Sequence, residues 1–299
     1  MPTLFPRHVA IGLLMAVACA FAANHVAARF AFDHGTGLLL AILSRSGVTL
    51  LALLGLVAWQ REPLRLPTGK TRWQLLLGLL IAVQSLCLYS AVARIPVALA
   101  LLISNVFPIL LALITWGLGG PRPTRRASTI MGVIFIGLIL VLDLPSRLAG
   151  VDGSDPRWWS GVGFALMAAT AFAFGLWITD RHLSGVRGSV RSVWTLGTVF
   201  VSMLVAGSAG LVPGGMALPQ DTPGWLGLAG LTVLYGVAFT TLFISLPRLN
   251  MAQNAPVMNI EPVASLLLGW LILQQTLAPI QLIGGLVVLS GIVWLARSK

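Results

Sequence analysis

Two ionisable side chains lie deep inside long apolar stretches of this sequence. Glu261 is about nine residues into the apolar stretch 252–275, and Arg45 is about eight residues into the stretch 38–59. A charge within a membrane-spanning helix is costly unless it is paired or protonated. The carboxylate could therefore exchange a proton or contact a cationic group of a solute, and the guanidinium could hold a solute carboxylate. Alternatively the two side chains pair with each other, Glu261 bonds to an asparagine, or Arg45 extends to the membrane surface.

Two prolines lie at matching places in the fourth and ninth apolar stretches. Pro108 and Pro262 each remove a backbone hydrogen bond, so each helix can kink there and act as a hinge. Asn105 and Asn259 precede these prolines by three residues. We predict that both asparagines bond or cap the kink, and the alternative is direct contact with a substrate.

Further polar and aromatic side chains in apolar stretches are candidates to line a cavity. They are Gln84, Tyr89, Trp177 and Tyr235. In helix bundles such residues more often pack between helices or hydrogen bond across them. Asn24 and His25 lie near one end of the first stretch, where they are predicted to form an outer gate; contact with interfacial water or a proton relay at His25 are the alternatives.

Patterns typical of soluble enzymes are missing from the sequence. The four histidines have no zinc-ligand spacing, and no Ser–His–Asp set can be assigned. Gly69–Lys70–Thr71 resembles the end of a phosphate loop, but Leu64 stands where its first glycine is required. Cys19 and Cys87 both fall in apolar stretches, where small packing residues are expected. We therefore predict neither enzyme activity, nor a cofactor, nor a metal site.

Composition identifies the solvent of this chain as mostly lipid. Of its 299 residues 57% are hydrophobic and only 9% are charged, and the mean hydropathy is +0.93. Soluble domains carry roughly 25% charged residues. The net charge of +11 does not indicate a nucleic-acid partner, because the basic residues are spread over short loops between apolar stretches. The predicted partners are the lipid bilayer and a small-molecule substrate, with protons as a candidate coupling ion.

Ten apolar stretches are each long enough to cross a hydrocarbon core of about 30 Å. The stretches are 9–29, 38–59, 73–93, 97–117, 127–144, 158–180, 192–212, 224–247, 252–275 and 279–296. The loops between them leave no segment of the size of a soluble domain. The sequence therefore predicts an all-α integral membrane protein with ten transmembrane helices.

Basic residues predict how these helices are oriented. If the N-terminus is cytoplasmic, fourteen Lys and Arg residues fall in cytoplasmic loops, against Arg29, Arg94, Arg147 and Arg157 outside. This bias follows the positive-inside rule. It predicts a multi-pass protein of the inner (cell) membrane with both termini in the cytoplasm.

The first stretch has a competing interpretation as a cleavable signal peptide. Ala18–Cys19–Ala20 follows an apolar run and resembles a cleavage site. However, Leu14–Met15–Ala16 recurs 152 positions later as Leu166–Met167–Ala168. A segment that belongs to a repeat is expected to be retained, so we predict a retained first helix.

The sequence contains an internal repeat. Asn105, Pro108 and Trp116 recur 154 positions later as Asn259, Pro262 and Trp270. Five helices in each half is an odd number, so the second half must enter the membrane inverted. We predict two inverted five-helix repeats, at 8–147 and 156–297, with a binding site near the midplane between them.

These residues resemble the drug/metabolite transporter superfamily, and specifically its ten-helix EamA-type members. The resemblance is carried by Ser44–Arg45, by the Asn–x–x–Pro centres of the fourth and ninth helices, and by the stretch from Pro262 through 281–285 to Gly291. The family often closes the fourth and ninth helices with a Gly–Glu pair. Here these places read Gly120–Pro121 and Gln274–Gln275, so a role for that glutamate cannot be transferred.

The resemblance implies a secondary transporter that moves a small solute such as an amino acid, a metabolite or a drug. Together with the inverted repeat it predicts alternating access, driven by the gradient of the substrate or of protons. The alternative is a flippase for a lipid-linked or amphipathic substrate, which would need a lateral opening towards the bilayer.

Overall fold

The computed structural model describes residues 5–61, 63–120, 122, 125–141, 155–212, 215–245, 248–249, 257 and 260–297, and the regular structure within them is helical. The helices are α1 (Arg7–Asp33), α2 (Leu38–Trp59), α3 (Thr71–Val92), α4 (Val97–Ser104), α5 (Phe107–Gly117), α6 (Arg125–Val141), α7 (Pro156–His182), α8 (Gly188–Ser208), α9 (Thr222–Ser245), α10 (Glu261–Leu273) and α11 (Pro279–Arg297).

These helices have the length and composition of membrane spans. Seven segments are long and apolar enough to cross a bilayer, with α4 and α5 together forming one of them, and three shorter apolar helices lie in α6, α10 and α11. Large apolar side chains such as Leu51, Val205 and Leu286 point outwards and are about two-thirds exposed, which suits contact with lipid. Helices are favoured in lipid because each satisfies its own backbone hydrogen bonds. The predicted all-α, multi-pass membrane fold is confirmed.

The fourth span is two helices rather than one kinked helix. After α4 ends, Asn105 and Val106 form a turn, and Pro108 then lies in the first turn of α5. A proline costs little there, because the first N–H groups of a helix have no partner within the helix. Pro262 lies in the same way in the first turn of α10. The break is thus sharper than the predicted kink, while Asn259 lies outside the described residues.

Helix pairing between the two halves is unchanged when each helix is exchanged for its counterpart in the other half. The corresponding helices are α1 and α7, α2 and α8, α3 and α9, α4–α5 and α10, and α6 and α11. From the first half, α1 packs on α9, and its counterpart α7 packs on α3. Likewise α1 packs on α10, and α7 packs on α4 and α5. The self-matching pairs α2–α8, α6–α11 and α4–α10 also form. The two halves are therefore related by a pseudo-twofold axis.

Contacts at helix ends give the directions of the two halves. The C-terminal ends of α1 and α3 lie together, because the Arg29 Nη1 donates to the Val92 carbonyl at 2.9 Å. By contrast, Arg157 at the start of α7 donates to the Ala93 carbonyl at 3.0 Å, just beyond the end of α3. Hence α7 runs antiparallel to α3 and to α1, its own counterpart. The second half is inverted relative to the first.

Small residues allow the helices of different halves to approach closely. A Cβ atom at Gly227 in α9 would lie only 2.9 Å from the backbone nitrogen of Ala31 in α1. Ala165, Ala169 and Ala173 are all at most 1% exposed along α7. The short side chains bring the polar residues of α1, α2, α3, α9 and α10 within reach of one another.

Candidate functional site

Arg45 lies between two tyrosine rings that come from different halves of the molecule. Its guanidinium carbon is 4.3 Å from the ring centre of Tyr89 in α3 and 4.4 Å from that of Tyr235 in α9. The side chain is buried, at 4% exposure, and its Nε has no hydrogen-bond partner. Cation–π contacts stabilise a buried guanidinium. The guanidinium is thus held by one aromatic ring from each half of the molecule.

Asn24 holds Tyr89 in place from α1. With its amide nitrogen facing α9, Asn24 donates to the Leu231 carbonyl and to the Tyr89 oxygen, each at 3.0 Å. Asn24 and Tyr89 are both fully buried, at 0% exposure. The His25 ring meets the Tyr89 ring edge-on, with ring centres 6.0 Å apart. One amide thus links α1, α3 and α9 behind the Arg45 guanidinium.

Glu261 pairs with His25 rather than with Arg45. The His25 Nε2 lies 3.5 Å from the Glu261 Oε1, whereas Arg45 forms no ion pair with Glu261 within 4.0 Å. The His25 side chain is 6% exposed and the Glu261 side chain 21%. Glu261 is the first residue of α10, where the positive end of the helix dipole stabilises a carboxylate. The His25 Nδ1 is buried without a partner.

These contacts define one central site, the Arg45 cluster, which consists of Asn24, His25, Arg45, Tyr89, Tyr235 and Glu261. Five helices from both halves contribute to it. The cluster offers a buried cation beside a Glu–His pair that can exchange a proton, and no carboxylate in the described part of the chain lies within 4.0 Å of that cation. All six residues were candidates from the sequence, but their mutual contacts were not predicted.

The remaining sequence candidates have local partners instead. Asn105 donates from its Nδ2 to the Leu101 carbonyl at 2.8 Å, one turn back in α4. Gln84 accepts a long bond of 3.4 Å from its neighbour Ser85. Trp177 packs edge-on against His182 near the end of α7, with ring centres 5.3 Å apart, and makes no described ring contact with the Arg45 cluster.

The structure adds two features that sequence reasoning missed. The Gln275 Oε1 accepts a hydrogen bond from the Val97 N–H at 3.1 Å and thereby caps α4 from the second half. The sequence feature that could have indicated this cap is the glutamine that stands where the family often has glutamate. Phe21 and Phe239 contact the Tyr235 ring at 5.9 and 5.7 Å between ring centres. Phe21 precedes His25 by one helical turn, and this spacing places both on one face of α1.

A resident metal has no evident ligands in the part of the chain described. No group of three or more His, Cys, Asp or Glu side chains there is arranged to hold a metal ion.

The fold and the site define a multi-pass helical membrane protein with a central charged site between two inverted halves. The model of the EamA-like transporter family matches this chain twice, at residues 8–143 and 159–297. The chain belongs to the EamA-like transporter family and is a membrane transporter of the drug/metabolite type.

A solved structure has the same fold. The crystal structure of a protein that is 20% identical to this chain superimposes on it with a TM-score of 0.61. The match covers 98% of this chain and 99% of the other. At this identity the likeness concerns the fold alone.

Proposed function

We propose that this protein is a secondary carrier that moves a small carboxylate-bearing solute across the cytoplasmic membrane by alternating access. The observation that carries the proposal is the buried guanidinium of Arg45, which has an unpartnered Nε and, among the described residues, no carboxylate within 4.0 Å. A buried charge without a counter-ion is costly. A substrate carboxylate bound to the guanidinium would supply the missing charge.

The guanidinium favours a flat, two-point contact with a carboxylate. The Tyr89 and Tyr235 rings hold its position, with ring centres 4.3 and 4.4 Å from the guanidinium carbon. Arginine binds carboxylates through two parallel N–H···O bonds in the plane of the guanidinium. The Glu261 carboxylate can contact a substrate ammonium group, so zwitterions such as amino acids are the first candidates.

The broken helices support alternating access. The chain changes from α4 to α5 at Asn105–Val106, and α10 begins at Glu261 within the matching span. Discontinuous helices at the midplane are a recurrent feature of carriers built from inverted repeats. We propose that Pro108 and Pro262 mark the hinges about which α5 and α10 move, exposing the Arg45 cluster to each side in turn.

Proton coupling is proposed for the Glu261–His25 pair, whose atoms lie 3.5 Å apart. Proton uptake on Glu261 would remove its negative charge and so change its contact with His25, which links α10 to α1. Glu261→Gln is therefore expected to keep the fold but to lose the pH dependence of transport, while Glu261→Asp retains it. An unchanged pH dependence in Glu261→Gln, measured as the initial transport rate between about pH 5.5 and 8, excludes proton coupling through this residue.

The orientation is proposed from the basic loops. With both termini in the cytoplasm of a bacterial-type inner membrane, the loop at Arg94 is outside and Arg248 is inside. Reporter fusions at these two positions are expected to give opposite compartments. Equal compartments would contradict the proposed orientation.

A ligand screen by thermal stabilisation of the purified protein tests the substrate class. A ligand at about 100 times its Kd stabilises the folded state by about 2.7 kcal/mol. Amino acids and other small carboxylates are expected to raise the melting temperature, while the matching amines without a carboxylate do not. Equal stabilisation by such amines contradicts the role of Arg45. Stabilisation only by lipid-linked compounds would indicate a flippase.

A further inference from the structure

The start of α3 and the end of α7 form a cationic corner, called here the α3–α7 corner. Its two rings, Trp73 and His182, are stacked with centres 3.6 Å apart and planes inclined by 4°. The guanidinium of Arg72 lies 5.4 Å from the Trp73 ring centre. Lys70, Arg72 and Arg181 all interact electrostatically with the His182 ring. Arg72 thus lies beside an aromatic stack that joins the two halves, and Lys70 and Arg181 are close to the stacked residues along the chain.

The pseudo-twofold axis places a matching corner where α1 ends and α9 begins. Trp225 stands 152 positions after Trp73, just as Arg181 stands 152 positions after Arg29. At this α1–α9 corner the cations have protein counter-ions. Arg29 contacts both Asp33 oxygens at 2.9 and 3.0 Å, and His34 Nδ1 lies 2.7 Å from Asp221 Oδ2. The α1–α9 corner is therefore neutralised from within the protein.

The α3–α7 corner lacks these counter-ions. At the same offset, Gly69 stands in place of Asp221 and Gly185 stands in place of Asp33. Among the described residues, neither Lys70 nor Arg72 nor Arg181 forms an ion pair within 4.0 Å. The exposed Asp180 next to Arg181 forms no such pair either. Within the described residues, the same architecture thus has ion-paired basic side chains at one corner and basic side chains without ion pairs at the other.

We infer that the α3–α7 corner binds the phosphate of an anionic phospholipid headgroup. Lysine and arginine at the ends of membrane-spanning helices attract anionic lipids, and a tryptophan at this level prefers the membrane interface. The corner lies at the ends of two spans, Lys70 and Trp73 are half-buried, and Arg72 and Arg181 are exposed. A headgroup seated there takes the place of the two absent carboxylates. It also links α3 of the first half to α7 of the second.

The test compares lipid binding to the full-length protein in detergent by native mass spectrometry. The probes are phosphatidylglycerol and phosphatidylcholine with the same acyl chains, and soluble glycerol 3-phosphate as a competitor. The corner variant combines Lys70→Gln, Arg72→Gln and Arg181→Gln. A charge-conserving variant combines Lys70→Arg, Arg72→Lys and Arg181→Lys. It changes the same three side chains but keeps their charges, so it tests the role of charge even if the corner variant folds poorly.

The matched control removes three exposed cations from other loops and helix ends. It combines Arg7→Gln, Arg122→Gln and Arg125→Gln, so that the net charge falls equally in both variants. The wild type, the control and the charge-conserving variant are expected to prefer phosphatidylglycerol. The corner variant is expected to lose this preference by roughly tenfold or more.

Three results would overturn the inference. The first is an equal loss of preference in the corner variant and the control, which would indicate diffuse electrostatic attraction. The second is loss of the preference in the charge-conserving variant, or its retention in the corner variant. The third is displacement of phosphatidylglycerol by glycerol 3-phosphate at equal concentration, which would identify a free-phosphate site instead of a lipid site.

Discussion

Replacing Arg45 by methionine removes the charge of the Arg45 cluster while keeping a side chain of similar length. In the native site the guanidinium carbon lies 4.3 and 4.4 Å from two tyrosine ring centres, and the proposed substrate carboxylate binds to the guanidinium N–H groups. A hydrogen bond to a charged group contributes about 1.5–3 kcal/mol. Because about 1.4 kcal/mol corresponds to a tenfold change, Arg45→Met is expected to weaken carboxylate binding by roughly 10- to 150-fold.

The assay is a thermodynamic cycle between the side chain and the ligand. Isothermal titration measures the Kd of a carboxylate ligand from the stabilisation screen and of its methyl ester, for the wild type and for Arg45→Met. The wild type is expected to prefer the acid strongly, and the variant to bind acid and ester alike. Arg45→Lys is expected to be intermediate, because it keeps the charge but not the planar fork.

One pattern of affinities would refute this reasoning. If Arg45→Met weakened the acid and the ester equally, Arg45 would act through the position of Tyr89 and Tyr235 rather than through the substrate carboxylate. Thermal unfolding of the ligand-free variant separates this case from misfolding, since a folded variant retains a cooperative transition.

The remaining predictions concern stability and are measured by thermal unfolding. Gly227→Ala is expected to destabilise by about 1–3 kcal/mol, because its methyl group would meet α1, whereas Gly163→Ala is a matched control whose Cβ would meet nothing within 4 Å. Gln275→Leu is expected to destabilise by about 1 kcal/mol through loss of the cap on α4, and Gln275→Glu is expected to retain the cap. The Gly224 backbone N–H, and next His34, lower the pKa of Asp221 below its ordinary 3.8. The ionised carboxylate therefore stabilises the fold fully above pH 3.8, and this stabilisation vanishes as the pH falls through the lowered pKa. Asp221→Asn is expected to remove this pH-dependent stabilisation.

The helical architecture could be predicted because each span is specified locally. A run of about 20 apolar residues has only one common solution in lipid, and the predicted span 38–59 coincides with α2. The inversion of the halves could be predicted from the number of spans. Because each half has five spans, an odd number, corresponding helices of the two halves cross the membrane in opposite directions. The break at Asn105 was less accessible, because a proline indicates lost hydrogen bonds without showing whether the helix bends or ends.

The partners within the site could not be predicted for a different reason. Arg45 and Glu261 were both recognised as buried charges, and opposite charges at similar depth suggested a pair. In the structure Glu261 instead contacts His25, and Arg45 makes cation–π contacts with two tyrosines. Which side chains meet depends on how five helices rotate against one another, and helices of low amphipathicity carry little sequence information about rotation.

Solute counterflow in proteoliposomes tests the central claim most directly, namely that the Arg45 cluster is the substrate site of a carrier. Vesicles containing the purified protein are loaded with an unlabelled carboxylate ligand and diluted into a trace of the labelled compound. The wild type is predicted to accumulate label transiently above its external concentration, and Arg45→Met to show none of this overshoot. Uptake that is independent of the internal ligand, or an equal overshoot in Arg45→Met, would contradict the account.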